Sequence, residues 1–270
     1  MLQDIDVQTA VDRIREKSDA CPTAAIILGS GLGGLAEAIE RPITIPYQDI
    51  PGFKNSSAKG HRGELIIGQL ENTTVVAMAG RLHRYEGWSN DDIGFPIRLM
   101  AALGANRLIV SNAAGGVSPK LSVGDIVVIR DHINWMGGLS SRNQSLIAPS
   151  PLRMADLYDE EMSTVAIQVA ANGNFNAWPG TYLATLGPTY ETRSEYRMMR
   201  RIGADVAGMS TVPEVLAAAS LEMRILGLSM VSNVANPDIA VVADHSEVLE
   251  AGEAAAAKME LIVRGVLAAV

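Results

Sequence analysis

Cysteine is nearly absent from this chain of 270 residues: Cys21 stands alone. That excludes a disulfide framework and a cysteine-built zinc site. Histidine is scarce too. His61, His83, His132 and His245 show no His-Glu-x-x-His pair or other ligand spacing, so no metal is expected. Long apolar runs are missing. Stretches such as Ala24–Leu28 and Val266–Val270 fall far short of the roughly 18 residues of a membrane span, so no membrane partner is expected. Met1–Ala10 carries Asp4 and Asp6 and no basic region, which points to no secretory signal and to a soluble cytoplasmic protein. Basic charge is in deficit, with 22 Lys and Arg against 30 Asp and Glu and a net charge of −8. A chain with no basic block lacks the electrostatic footprint that a phosphate backbone requires, so nucleic acid is not an expected partner. Aromatic residues make up only 4%, so the core has to be aliphatic.

What is present fits a globular protein, with 48% hydrophobic and 19% charged residues. The length allows one large domain or two small ones. Short aliphatic runs between Gly-rich turns predict strands over Ala24–Leu28, Glu64–Leu70, Thr73–Ala79, Arg107–Ser111, Ile126–Arg130, Ala204–Gly208 and Ile225–Val231. Helical periodicity falls on Val7–Lys17, Asp91–Leu103, Asp156–Asn172, Ser194–Ile202, Pro213–Met223 and Glu247–Leu267. This alternation predicts an α/β fold with a largely buried mixed sheet. No linker-like stretch divides the chain, so residues 1–270 read as a single domain. The least periodic segment, Gly137–Pro151, reads as a surface loop. Two capping boxes, Thr192 to Glu195 and Thr211 to Glu214, each predict a helix start.

Several turns suit an anion. Gly29-Ser30-Gly31-Leu32-Gly33-Gly34 follows the first strand, where glycines let backbone amides face a ligand and a serine adds a donor. Gly29, Gly31 and Gly34 match the dinucleotide fingerprint, but Pro42 cuts the next helix short and Asp49 sits in a turn. No Lys-Ser/Thr pair follows, so it is not a Walker loop. Gly80-Arg81-Leu82-His83-Arg84-Tyr85-Glu86-Gly87 follows the strand at Thr73–Ala79. If extended, it turns Arg81, His83 and Tyr85 to one face and leaves Arg84 and Glu86 to solvent. Ser111-Asn112-Ala113-Ala114-Gly115-Gly116 reads as a turn whose small residues admit a ligand to the main chain. His132 reads as a hydrogen-bonded structural residue, and His61 as a loop residue able to reach an anion. Neither Ser30 nor Ser210 has the nucleophile-elbow pattern, which disfavours a covalent serine mechanism.

Taken in order, these motifs, with Gly60-His61-Arg62-Gly63, Gly187-Pro188-Thr189-Tyr190-Glu191-Thr192 and Gly208-Met209-Ser210-Thr211-Val212-Pro213-Glu214, resemble the trimeric, low-molecular-mass purine nucleoside phosphorylases. The resemblance runs from about Ala24 to the C-terminus. It implies a single α/β domain around a mixed, partly barrel-like sheet flanked by helices, assembled as a homotrimer. It implies a phosphate site of Ser30, His61, Arg81, His83, Ala113 and Ser210. It implies a nucleoside site of Tyr85, Tyr190, Glu191, Met209, Asn233 and His245, with His245 near the ribose 5′-hydroxyl. Catalysis would rest on His83, Glu191, Asn233 and His245, with inorganic phosphate as co-substrate and no cofactor or metal. The implied reaction is reversible phosphorolysis of inosine and guanosine. The alternatives are a xanthosine- or methylthioadenosine-directed paralogue, or a nucleoside-binding protein without turnover. The family's aromatic from a neighbouring subunit has no counterpart in Ser150-Pro151-Leu152-Arg153.

Overall fold

A computed structural model describes residues 2–29, 33–55, 62–137, 156–235, 237–238 and 245–270, apart from the side chains of residues 2–6, 33 and 245–254. The chain runs α1 (Leu2–Arg15), β1 (Ala24–Leu28), α2 (Gly33–Glu37), β2 (Glu40–Pro46), β3 (Glu64–Leu70), β4 (Thr73–Ala79), α3 (Asn90–Ala102), β5 (Arg107–Gly116) and β6 (Ile126–Asn134). It continues α4 (Glu160–Asn172), β7 (Ala177–Ala184), α5 (Arg193–Arg201), β8 (Val206–Gly208), α6 (Val212–Ala219), β9 (Arg224–Val234) and α7 (His245–Ala269).

Among the described residues the strands form one mixed sheet in the order β2-β3-β4-β1-β5-β8-β7-β6-β9. β9 also pairs with β5, in parallel from Arg107↔Arg224 to Gly116↔Val234, so β5, β8, β7, β6 and β9 close into a barrel. β1 joins the barrel to the open half through parallel pairing with both β4 and β5. All five residues of β1 are buried. Its period-two alternation sends Ala25 and Ile27 into one apolar layer with Ile97 of α3 and Val215 of α6. Ala24, Ile26 and Leu28 enter another with Ala166 of α4 and Ile262 of α7. Helices thus cover both faces, which is why these strands read as continuous aliphatic runs. Among the described residues no helix is long and apolar enough to cross a membrane.

Several sequence expectations need correction. β2 and β7 carry no expected strand, because Glu40-Arg41-Pro42 and Trp178-Pro179-Gly180 break the aliphatic pattern. Pairing with β3 and with β6 and β8 supplies the order that local propensity lacks. Asn112–Gly116 is not a turn; β5 runs through it because β9 offers a full ladder of partners. The strand read at Ala204–Gly208 is confined to Val206–Gly208. The first capping box forms, with Thr192 Oγ1 accepting from the Glu195 amide and the Glu195 carboxylate accepting from the Thr192 amide. The second does not: Thr211 makes no side-chain cap. Its φ of 73° and the Val212 amide's 2.8 Å bond to the Ser210 carbonyl mark a γ-turn of the rare positive-φ kind. His132 is structural as expected, with Nδ1 3.0 Å from the Tyr158 hydroxyl, and burial pushes its pKa down. Of the surface loop read at Gly137–Pro151, all but Gly137 lies outside the described residues.

Candidate active site

A cleft opens where β1, β4 and β5 end and the barrel closes, at the carboxyl edge where open α/β sheets place their ligands. Its cavity volume is about 160 Å³. It gathers Arg81, His83, Tyr85, Ala113, Tyr190, Glu191, Met209, Ser210 and Asn233 of the residues singled out in the sequence. Ser30 and His61 lie outside the described residues. His245 is the first residue of α7, and its side chain also lies outside them.

One end of the cleft is built around Arg81. Gly29, at the end of β1, comes so close to β5 that a Cβ there would lie 2.3 Å from the Ser111 carbonyl oxygen. Only glycine lets the chain pass at that point. The Ser111 hydroxyl donates to the Ile27 carbonyl and accepts from the Gly29 amide, which locks this crossing. The Arg81 guanidinium then donates through Nη1 to the Ser111 carbonyl at 2.8 Å and to Ser210 Oγ at 3.1 Å. Its Nε lies 2.9 Å from a Glu214 carboxylate oxygen, both side chains being 3% exposed. Asn112 donates to Thr211 Oγ1 at 2.9 Å, which helps to hold the strained γ-turn. Such backbone strain costs about 1–3 kcal/mol and persists only where its surroundings over-determine it. The Ser210 amide points to the hydroxyl of Tyr182, a wholly buried phenol whose pKa is raised chiefly by burial.

The turn after Arg81 departs from the extended reading. Residues 84–86 form a 3-10 turn, so His83 and Tyr85 do not alternate along a strand. They stack, with ring centroids 4.7 Å apart at 18°. Glu86 is not solvated: its carboxylate is 5% exposed and accepts from the His83 amide at 2.8 Å and from Nδ1 at 3.2 Å. A carboxylate only accepts, so Nδ1 carries the proton in this pair. Burial, then the Glu86 charge, raises the Tyr85 pKa.

At the other end Glu191 and Asn233 face the cleft. Glu191 accepts from Thr185 Oγ1 at 3.0 Å, while the Thr185 amide is tied to the Gly208 carbonyl. Asn233 Oδ1 accepts from Ser232 Oγ at 3.1 Å, which orients the amide. Burial is the main cause, and Glu191 the next, of a raised pKa at the adjacent phenol of Tyr196. Met209 packs against Gly187, whose φ is +69° and where a Cβ would stand 2.3 Å from the thioether sulfur. Tyr85 and Tyr190 are exposed at the rim.

Sequence reasoning missed Glu214, read as a helix cap, and Thr185, Tyr182 and Tyr196, which carry no motif. The unused signal is the acid of Pro213-Glu214, since a glutamate within an otherwise apolar helix start invites a buried partner. Among the described residues, no cluster of three or more His, Cys, Asp or Glu is arranged to hold a metal ion.

A sequence profile described as the Phosphorylase superfamily matches residues 23–268. Purine nucleoside phosphorylase 1 of Geobacillus stearothermophilus is 44% identical over 263 residues, covering 97% of this chain and 96% of that protein. The purine nucleoside phosphorylase of Rattus norvegicus is 41% identical, covering 96% and 92%. A crystal structure of a schistosoma purine nucleoside phosphorylase in complex with hypoxanthine superimposes with a TM-score of 0.92 at 37% identity, covering 98% and 97%. With a matching superfamily profile, whole-length relatives and a shared fold, the chain belongs to the purine nucleoside phosphorylase family of the phosphorylase superfamily.

Proposed function

We propose that the protein cleaves 6-oxopurine ribo- and deoxyribonucleosides with phosphate, releasing the base and (deoxy)ribose 1-phosphate, and that residues 1–270 act as one domain. The observation that carries this reading is the polarity of the cleft. A buried guanidinium with Ser210 stands at one end, and an acceptor–amide pair, Glu191 and Asn233, at the other. Phosphate occupies the first end, held by Arg81, His83, Ser210 and the amide of Ala113, with Ser30 and His61. The base lies between Glu191 and Asn233. Tyr85, Tyr190 and Met209 contact the ribose, and His245 meets its 5′-hydroxyl.

In this arrangement the N-glycosidic bond breaks as a phosphate oxygen bonds to the anomeric carbon. Positive charge builds on the sugar and negative charge on the departing purine. The phosphate dianion answers the first, and hydrogen bonds from Asn233 answer the second, in a site whose dipoles are set before reaction. Inosine incubated with the protein should release hypoxanthine only when phosphate is present, measured by coupled oxidation of the base. Cleavage at an equal rate without phosphate would make the protein a hydrolase. Preferred turnover of xanthosine or methylthioadenosine would move it to the alternative substrate class.

The same reading makes the protein a cytoplasmic homotrimer. The aliphatic residues of α6 give it no support, since Val212, Val215 and Ala218 are buried in the core. Support comes instead from Trp135 and Leu186, exposed beside the paired ends of β6 and β7. Light scattering at micromolar protein should give about three times 28.6 kDa, and an active monomer would count against it.

A further inference from the structure

The arginine at the phosphate end already has a counter-ion. Glu214 lies in the first turn of α6, with its Oε1 2.9 Å from Arg81 Nε and both side chains almost fully buried. A buried ion pair is a weak source of stability, because desolvating both charges offsets most of their attraction. Nor does Arg81 depend on Glu214 alone for its orientation. The Ser111 carbonyl and Ser210 Oγ hold Nη1, and Thr211 Oγ1 lies 3.4 Å away. Among the described residues, the Glu214 charge also acts on the phenols of Tyr158 and Tyr182, which burial keeps protonated and uncharged. What Glu214 brings to this corner is a negative charge, placed against the guanidinium that phosphate would meet there.

We propose that Glu214 is an internal counter-ion that offsets the charge of Arg81 and thereby limits how tightly the cleft holds phosphate and the sugar phosphate formed from it. The inference rests on the reading of the cleft as a phosphorylase site. The physical reason is differential binding. An uncompensated guanidinium in a water-poor site binds phosphate, transition state and sugar phosphate alike, and such uniform binding slows release without raising the chemical rate. A carboxylate on the far side of the guanidinium weakens all three together, and leaves the chemistry to groups that respond to the transition state.

The test is the sign of the change in phosphate affinity. Glu214→Gln keeps the shape of the side chain but removes its charge. Calorimetric titration with inorganic phosphate should show binding at least about fivefold tighter than in the wild type. The KM for phosphate should fall in parallel, the KM for inosine should stay unchanged, and kcat should drop as ribose 1-phosphate leaves more slowly. Without phosphate the variant should melt below the wild type, and saturating phosphate should narrow the gap, since ligand bound to the native state stabilises it by mass action. Glu214→Met provides a second neutral side chain should the glutamine variant fold poorly. Weakened or unchanged phosphate binding in the folded neutral variants overturns the inference alone. A wild-type protein that takes up no phosphate overturns the reading of the cleft with it.

Discussion

Adenosine should be turned over on the order of ten-thousandfold less efficiently than inosine, because the end of the cleft proposed to take the base carries an acceptor and an oriented amide. An ionised carboxylate can only accept hydrogen bonds. Inosine and guanosine present N1–H to Glu191, and guanosine adds its amino group. Adenosine presents a bare N1 lone pair, so either a proton must be taken up or the carboxylate of the half-buried Glu191 faces a second acceptor. Sites built around such a bond discriminate by factors of about 10⁴–10⁵. Ser232 holds Asn233 by its Oδ1 atom, which leaves the NH2 group to donate, in the proposed binding mode, to N7 and the oxygen at position six. Asn233→Asp should relax the preference, since a carboxyl group can pair with a 6-amino group. Glu191→Ala should lower kcat/KM for inosine and guanosine far more than for adenosine. The measurement is kcat/KM for the three nucleosides on each protein. Wild-type adenosine turnover within a few-fold of inosine would show that these two side chains do not read the base in this way.

Arg81→Ala should cost both activity and stability, and the two losses should separate. A charge-assisted hydrogen bond contributes about 1.5–3 kcal/mol. Loss of even one to phosphate therefore slows phosphorolysis by at least about tenfold at subsaturating phosphate, at roughly 1.4 kcal/mol per factor of ten. The stability loss has a different origin. Without the guanidinium, the Glu214 carboxylate is left buried with no opposite charge beside it among the described residues. Breaking a buried pair from one side costs about 3–5 kcal/mol. The double variant Arg81→Ala with Glu214→Gln removes that orphaned charge. It should recover much of the melting temperature while activity stays low, a non-additivity expected of residues in direct contact. A double variant no more stable than Arg81→Ala would mean that the pair does not carry the energy assigned to it.

The sequence by itself determined the strands that are buried on both faces. Ala24–Leu28, Glu64–Leu70 and Thr73–Ala79 have the bounds that their aliphatic runs predict, because a strand covered on both sides needs no alternation and ends where glycine or a turn begins. The helix at Thr192 was equally legible, since a capping box is a contact over three residues and its signal is local. Of the residues that line the cleft, Arg81, His83 and Tyr85 were legible from their own motif as a candidate anion site, whereas Tyr190, Glu191, Met209 and Asn233 were singled out only through the resemblance of the ordered motifs to a known family.

Only the tertiary structure decided the rest. β2 and β7 exist because their neighbours pair with them despite Pro42, Pro179 and Gly180. The same local pattern at Thr211 that predicts a cap gives a γ-turn instead. Arg81 and Asn112, far away in sequence, reach the Thr211 hydroxyl and leave Glu214 to face the guanidinium. Closure of the barrel by β5 and β9 carries Asn112–Gly116 into a strand and sets Asn233 beside Gly115. Contacts of this kind join residues from tens of positions apart, as in Ile126 with Ala177, to 130 apart, as in Arg81 with Thr211. No window of periodicity or propensity spans them, because the free energy that selects them comes from burial and pairing that exist only once the chain has closed on itself.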